Sequence, residues 1–529
     1  MKLYKNLIYV LLLSAGLTAT SCVGDLDVTP IDPSTNTSDK ALNSAADFKA
    51  FLAQCYTGFA TSGSYGPDGD SNISGMDGGQ SQYFRGLFHL NEYTTDECVV
   101  GWNDQTIQDL HGLAWTTSDT FIFALYSRIF YQVSMCNEFI RQANASSLDF
   151  PEKAAYIAEA RALRALAYYH AIDMFGNVPF ADETSSVSSV APQRITRSEL
   201  FTWLETELKD LIGANSALAE ARQNEYGRID KGGASMILAK LYLNAEVYIG
   251  TAKYNECAQI CKEIQGKGYS LHPKYEELFM ADNNETSTDE IIFAVEQDGI
   301  NTQSYGVTNF IIFASVGGKM DAAAMGISSG WGGIRVTPEF YDSFVTGDQR
   351  AMFFTTEQQK EIDDIANFQH GYAFTKFKNV RSDGKATSNV GFVDTDFPVF
   401  RYADVLLMLS ECAVRGASTV TVSEGAAALS LVRERAGLSV VSAYTLDDIL
   451  RERGCELYLE CWRRSDLVRF GKFTSDSYVW SWKGGIKAGK GVDSRYNLFP
   501  IPERDLNANP NLIQNEGCLL YTSPSPRDS

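Results

Sequence analysis

The sequence predicts a mainly α fold: a tetratricopeptide-like scaffold of stacked helix pairs that carries a loop-rich, irregular lobe. Three observations predict it. Apolar residues recur at helical spacing in many segments, among them residues 152–175, 231–248 and 400–415. Two helix pairs approach the length of a tetratricopeptide unit, and the consensus letters of that repeat are partly present. Between the helical blocks, residues 270–386 are rich in Gly, Asn, Phe and Tyr and keep no helical period.

The chain opens on a targeting signal. Lys2 and Lys5 make a positive start, and Leu7, Ile8, Val10, Leu11, Leu12 and Leu13 make an apolar run. Ala15, Gly16, Ala19 and Ser21 then lead to Cys22. The run is too short to remain as a membrane span. A Cys directly after small residues resembles the lipobox of bacterial lipoproteins, with Ala19 where Leu is commoner. This reading gives a signal peptide at 1–21 and lipidation at Cys22, where several acyl chains together hold a protein on a membrane. Plain secretion with Cys22 incidental is the alternative. Asp25 and Asp27 weakly resemble an acidic signal that sends some lipoproteins to the cell exterior. Residues 22–43 form the lipidated terminus and a polar tether containing Pro30 and Pro33.

A helix follows over residues 44–59, with Phe48, Phe51, Leu52 and Cys55 on one face. Residues 58–79 are loop, rich in Gly, Ser and Asp. Residues 79–105 also read as mostly irregular. They mix rings (Tyr83, Phe84, Phe88, Tyr93, Trp102) with planar hydrogen-bonding groups (Gln80, Gln82, Arg85, Asn91, Asn103, Gln105). That mixture suits a hydroxyl-rich ligand, because rings accept the C–H face of a sugar and amides or guanidinium bridge its hydroxyls. Rings that complete a core are the alternative, since pockets and cores share these residue types.

Helical spacing resumes over residues 119–143 and 152–175, the latter stopped by Gly176 and Pro179. Thr196 and Glu199 form a capping-box pair ahead of Leu200, Leu204, Leu208 and Leu211. Further helices cover residues 231–248 and 254–264. Inside the irregular middle, residues 290–295 and 310–316 read as short β pieces. Helices return at 400–415, 424–436 and 446–470. This interleaving argues for one domain over residues 44–518, with a lobe inserted at about 270–395. Residues 519–529, LLYTSPSPRDS, have no packing pattern and read as a non-native tail.

Asp and Glu number 66 against 45 Lys and Arg, a net charge of −21. A duplex or an anionic lipid surface repels such a chain, so nucleic acid is excluded as a partner. Nine cysteines besides Cys22 fall mostly on apolar helical faces. Cys257 and Cys261 share a face but have no His nearby, so buried thiols are favoured over zinc, and an isolated disulfide stays open. His89, His111, His170, His272 and His370 lie in no metal motif, and no nucleophile elbow or P-loop is present. A glycosidase with two carboxylates in the lobe is the enzymatic alternative. Residues 280–290, MADNNETSTDE, offer Asp282, Asn283, Asn284 and Glu285 to a structural calcium ion, with Asp396 as a distant ligand. A solvated acidic turn is the competing reading.

Two lobe segments match the chemistry of residues 79–105. Tyr305 stands beside Gly306 on an amide-bearing loop, and Trp331 is set among Gly330, Gly332 and Gly333. A Trp so placed has little backbone bulk around it, which suits a presented ring better than a core ring.

Several motifs in order, Leu163-Arg164-Ala165-Leu166, Phe175-Gly176-Asn177-Val178-Pro179-Phe180, Phe400-Arg401-Tyr402-Ala403-Asp404, Arg463-Arg464-Ser465-Asp466-Leu467-Val468-Arg469-Phe470-Gly471 and Phe499-Pro500-Ile501-Pro502, resemble the SusD family of outer-membrane lipoproteins of Bacteroidota. Thr94-Thr95-Asp96-Glu97-Cys98 and Trp480-Ser481-Trp482-Lys483-Gly484-Gly485 resemble its starch-binding members. The resemblance implies a non-catalytic, cell-surface glycan-binding lipoprotein that works with a SusC-type TonB-dependent transporter. It places Arg85, Trp102, Gln105, Tyr305 and Trp331 at or beside starch-contacting positions, with Asn103 next to them. Val100 stands where starch-binding relatives carry a further Trp, so the arc is one ring short or Trp102 takes over. A glycan of another linkage is the alternative ligand.

Overall fold

The computed structural model describes residues 42–186 and 190–518. The signal peptide, Cys22, nearly all of the tether and the tail at 519–529 therefore lie outside the described residues.

The chain begins with α1 (Ala45–Thr57), capped by the Ser44 hydroxyl. Next come α2 (Tyr83–Glu92), β1 (Cys98–Val100) and α3 (Gln105–His111). Five helices follow: α4 (Thr120–Ala145), α5 (Lys153–Met174), α6 (Arg197–Ile212), α7 (Lys231–Leu243) and α8 (Tyr254–Gln265). Each of these packs on the next in sequence. Asp119 caps α4, Asp230 caps α7, and the Thr196–Glu199 capping box starts α6. Their facing sides bury Leu163, Leu166, Leu204, Leu208, Ile237 and Leu241. Truncating one such Leu to Ala costs about 2–5 kcal/mol.

The irregular middle holds β2 (Ile291–Val295), α9 (Val307–Ser315), β3 (Ile334–Val336), β4 (Phe353–Phe354), β5 (Ala373–Phe374) and β6 (Phe397–Arg401). The helical array then resumes with α10 (Tyr402–Val414), α11 (Val422–Arg435), α12 (Leu446–Leu457) and α13 (Arg463–Arg469). α8 packs directly on α10, so the scaffold continues across the middle segment as if it were not there. β2 pairs antiparallel with β6, Ile291 opposite Arg401 and Val295 opposite Phe397, which closes a neck. Arg401 at this neck is fully buried and binds Glu290 (2.6 Å), Glu456 (2.9 Å) and Glu460 (2.7 Å). Removing one member would leave an uncompensated buried charge, worth about 3–5 kcal/mol. A second sheet runs β1-β3-β5-β4, with Val100 opposite Ile334.

Three sequence expectations need correction. Residues 79–105 are not mostly irregular, because α2 and β1 occupy half of them. Every residue of α2 is buried, against α4, α9 and α13. A helix buried on all sides shows no amphipathic period to read. Tyr83, Phe84, Phe88 and Tyr93 are thus core rings, and Tyr83 Oη meets His170 Nδ1 at 2.8 Å. Residues 310–315 belong to α9 and Val316 follows as its C-cap, so the stretch is not a strand; an apolar run buried throughout looks alike in either state. Residues 446–470 are two helices, broken where Leu459 and Cys461 take φ of 61° and 67°. Their N–H groups donate to Glu97 (2.9 Å) and Glu92 (2.6 Å). The nine described cysteines besides Cys22 are free thiols, and eight are buried.

Candidate functional site

The site is built on the C-terminal end of α9. The last carbonyls of a helix lack partners within it. Here residues 330–333 lie across them. The N–H groups of Trp331, Gly332 and Gly333 donate to the carbonyls of Phe313 (2.7 Å), Val316 (2.8 Å) and Ala314 (2.8 Å). Glycine is required for that approach: a Cβ at Gly330 would collide with the Val316 carbonyl, and one at Gly333 would lie 2.6 Å from the Trp102 ring. Trp331 is thereby fixed by its backbone while its ring stays half-buried.

α9 also supplies the seat. Phe313 lies 5.1 Å beneath Trp331, and Phe310 is 6.3 Å from Trp331 and 6.1 Å from Trp102. The Trp102 indole N–H donates to the Trp331 carbonyl at 3.3 Å, and the two indoles are 6.4 Å apart at 51°. On the other flank Tyr305 stands 6.0 Å from Trp331 at 64°. Phe392 continues the row, 5.5 Å from Tyr305 at 39°. Four partly exposed rings therefore stand side by side and turn from one to the next. A flat ribbon would lie on one of them only, whereas a coiled chain can follow their turn.

Polar groups border this row. Asn103 and Gln105 are exposed beside Trp102. Asn103 accepts from Gln108 (2.9 Å), and Gln105 donates to Asp109 (2.8 Å), so both amides are oriented. The Tyr305 hydroxyl donates to Asp68 at 3.0 Å, and partial burial and that bond raise its pKa. Arg85 sits below. It is only 6% exposed, its Nη1 donates to the carbonyls of Gly79 (2.6 Å) and Tyr305 (3.0 Å), and its guanidinium covers Phe310 at 4.3 Å. Burial lowers its pKa to about 10. Through Nη1, Arg85 thus fixes the Tyr305 backbone.

The structure unites Trp102, Tyr305 and Trp331 and leaves the proposed calcium ligands elsewhere. Both Asp282 oxygens accept from Ser382, through its N–H (2.9 and 3.1 Å) and hydroxyl (2.7 Å). Asp396 accepts from the Gln297 N–H at 2.6 Å, and burial pushes its carboxyl well above the usual range. Among the described residues no three His, Cys, Asp or Glu side chains gather as a metal set. Both Asp282 oxygens are thus already engaged by Ser382, and Asp396 by Gln297. Sequence reading missed Phe310, Phe313 and Phe392. The spacing of Phe310 and Phe313, three apart on one helix face, was the available signal for the first two.

Residues 364–517 match the SusD family pattern, and residues 35–243 match a related pattern described as starch-binding associating with outer membrane. The chain is 33% identical to the starch-binding protein SusD of Bacteroides thetaiotaomicron, over 96% of this chain and 97% of that one. The chain belongs to the SusD family. A SusD superfamily protein from Parabacteroides distasonis has the same fold (24% identity, TM-score 0.71, 90% of this chain and 100% of that one). So does surface glycan-binding protein A of Bacteroides thetaiotaomicron in complex with laminarihexaose (21% identity, TM-score 0.67, 89% and 100%). SusD-family relatives are named for binding, and the family is non-catalytic. Among the described residues no helix is long and apolar enough to cross a membrane.

Proposed function

We propose that this SusD-family protein captures starch or malto-oligosaccharides at the cell surface without cleaving them. The row Trp102–Trp331–Tyr305–Phe392 carries the reading. Its rings offer apolar faces to successive sugars, and their changing tilt fits the curvature of an α-glucan. Lipidation at Cys22 holds the protein on the outer membrane, facing the exterior. A SusC-type TonB-dependent transporter receives the oligosaccharide. The starch-binding name of the 33%-identical relative supports the ligand class.

A second reading has its own observations. Val100 is buried in β1 and supplies no ring where starch-binding relatives have one, and a neighbour of the same fold holds laminarihexaose. A β-1,3-glucan coils as well and would meet the same row. Isothermal titration of the lipid-free protein from residue 23 onward, with maltoheptaose and laminarihexaose, separates the two. Binding of maltoheptaose is expected. Heat with laminarihexaose alone would replace the starch reading. Release of reducing sugar from either would overturn the non-catalytic one.

A further inference from the structure

We propose that Phe368 is an additional glycan-contacting ring that lengthens the site beyond Trp331, in place of the ring absent at Val100. The inference rests on the glycan-binding reading above. Phe368 is half-buried yet stands outside the apolar core. It lies instead against glycines: a Cβ on Gly317 would come within 2.9 Å of its ring, one on Gly318 within 3.3 Å, and one on Gly332 within 3.8 Å. The two residues after Trp331 thus each abut a ring, Gly332 that of Phe368 and Gly333 that of Trp102. Packing on glycine backbone gives a ring little apolar contact, and its other close neighbour is the Arg335 guanidinium, 5.7 Å from the ring centroid, so the apolar core does not explain its place.

The loop that carries Phe368 is held firmly. Arg335 on β3 is fully buried and donates to the carbonyls of Gly333 (2.9 Å), His370 (2.9 Å), Asn367 (3.1 Å) and Ile365. Burial lowers its pKa to about 10. A buried guanidinium bonded to four carbonyls is costly for stability alone, and its effect is to lock the Trp331 loop to the Phe368 loop. Gln358 fixes the Phe368 carbonyl at 3.0 Å. Preorganised rings lose little entropy on binding. Arg335 is the positioning residue of this pair.

The test compares wild type, Phe368→Leu and Phe368→Trp by isothermal titration with maltotriose and maltoheptaose, and with laminaritriose and laminarihexaose. Leu keeps an apolar contact with the glycines and removes the aromatic face. In the series that binds, Phe368→Leu is expected to weaken the longer oligosaccharide about tenfold and the trisaccharide less than twofold, since a short ligand fits on Tyr305 and Trp331 alone. Phe368→Trp is expected to stay within about twofold of wild type. Wild-type affinity of Phe368→Leu for the longer oligosaccharide overturns the inference and leaves the glycan reading intact. Equal losses for short and long ligands with a lowered melting temperature also overturn it. Absence of binding by the wild type to all four sugars removes the glucan reading itself.

Discussion

Replacing Trp331 by Ala tests the site at its centre. The backbone of Trp331 is held by its own N–H to Phe313, and its carbonyl accepts from Trp102, so both bonds survive the substitution. What is lost is the ring. A Trp buries about 150–250 Å² when fully covered, and at most about a third of that is free for ligand on this partly buried ring. About 70 Å² at 25 cal/mol per Å² gives about 1.8 kcal/mol, or about 20-fold in affinity. Trp331→Phe keeps much of that face and is expected to lose only about two- to fourfold. Isothermal titration with the better of maltoheptaose and laminarihexaose measures both, and thermal melting checks that the variants are folded. A loss under about fivefold for Trp331→Ala, with an unchanged melting profile, would refute ligand stacking on this ring.

Three further outcomes are expected. Gly333→Ala places a methyl 2.6 Å from the Trp102 ring and should displace it, weakening glycan binding more than tenfold and changing the indole fluorescence. Glu92→Gln should alter the pH dependence of stability. Burial and the facing Glu97 raise Glu92 well above the ordinary range, and burial raises Glu97 from 4.5 to about 7. Raised carboxyls favour the protonated folded state, so their stabilisation is complete below about 4.5 and lost as pH rises through about 7. In urea titrations Glu92→Gln should therefore gain on wild type as the pH rises from about 4.5 to 8, with the gain vanishing by pH 4.5. Calcium chelation should leave glycan affinity and melting temperature unchanged, because Ser382 satisfies Asp282; a drop of several degrees with EDTA would contradict this.

The scaffold was legible because its signals are local. Thr196 with Glu199, and the leucines at four-residue spacing after them, define α6 without reference to any other segment. Trp331 among glycines was legible for the same reason, since loss of backbone bulk marks a close approach. The role of Arg85 was not. Its residue type suits a ligand donor, and only the fold shows its Nη1 turned to the carbonyls of Gly79 and Tyr305. α2 and α9 were misread because burial on every side erases the alternation that distinguishes helix from strand. Phe392 and Phe368 carry no local mark at all. Phe392 gains meaning from Tyr305, and Phe368 from glycines at 317, 318 and 332.

The β2–β6 neck has an evolutionary consequence. Tyr305, Trp331, Phe368 and Phe392 all lie between its two strands, and among the row only Trp102 comes from outside. The helices on either side meet each other directly, so the helical array stays continuous past the segment between Val295 and Phe397, although that segment also packs on it through α9. A gene could acquire a new sugar preference by recombination at two points in one ribbon. A transplanted lobe would have to match the Arg401 cluster, the β1–β3 pairing, the packing of α9 on α2, and the buried pairs of Arg350 with Glu452 and Lys376 with Glu460.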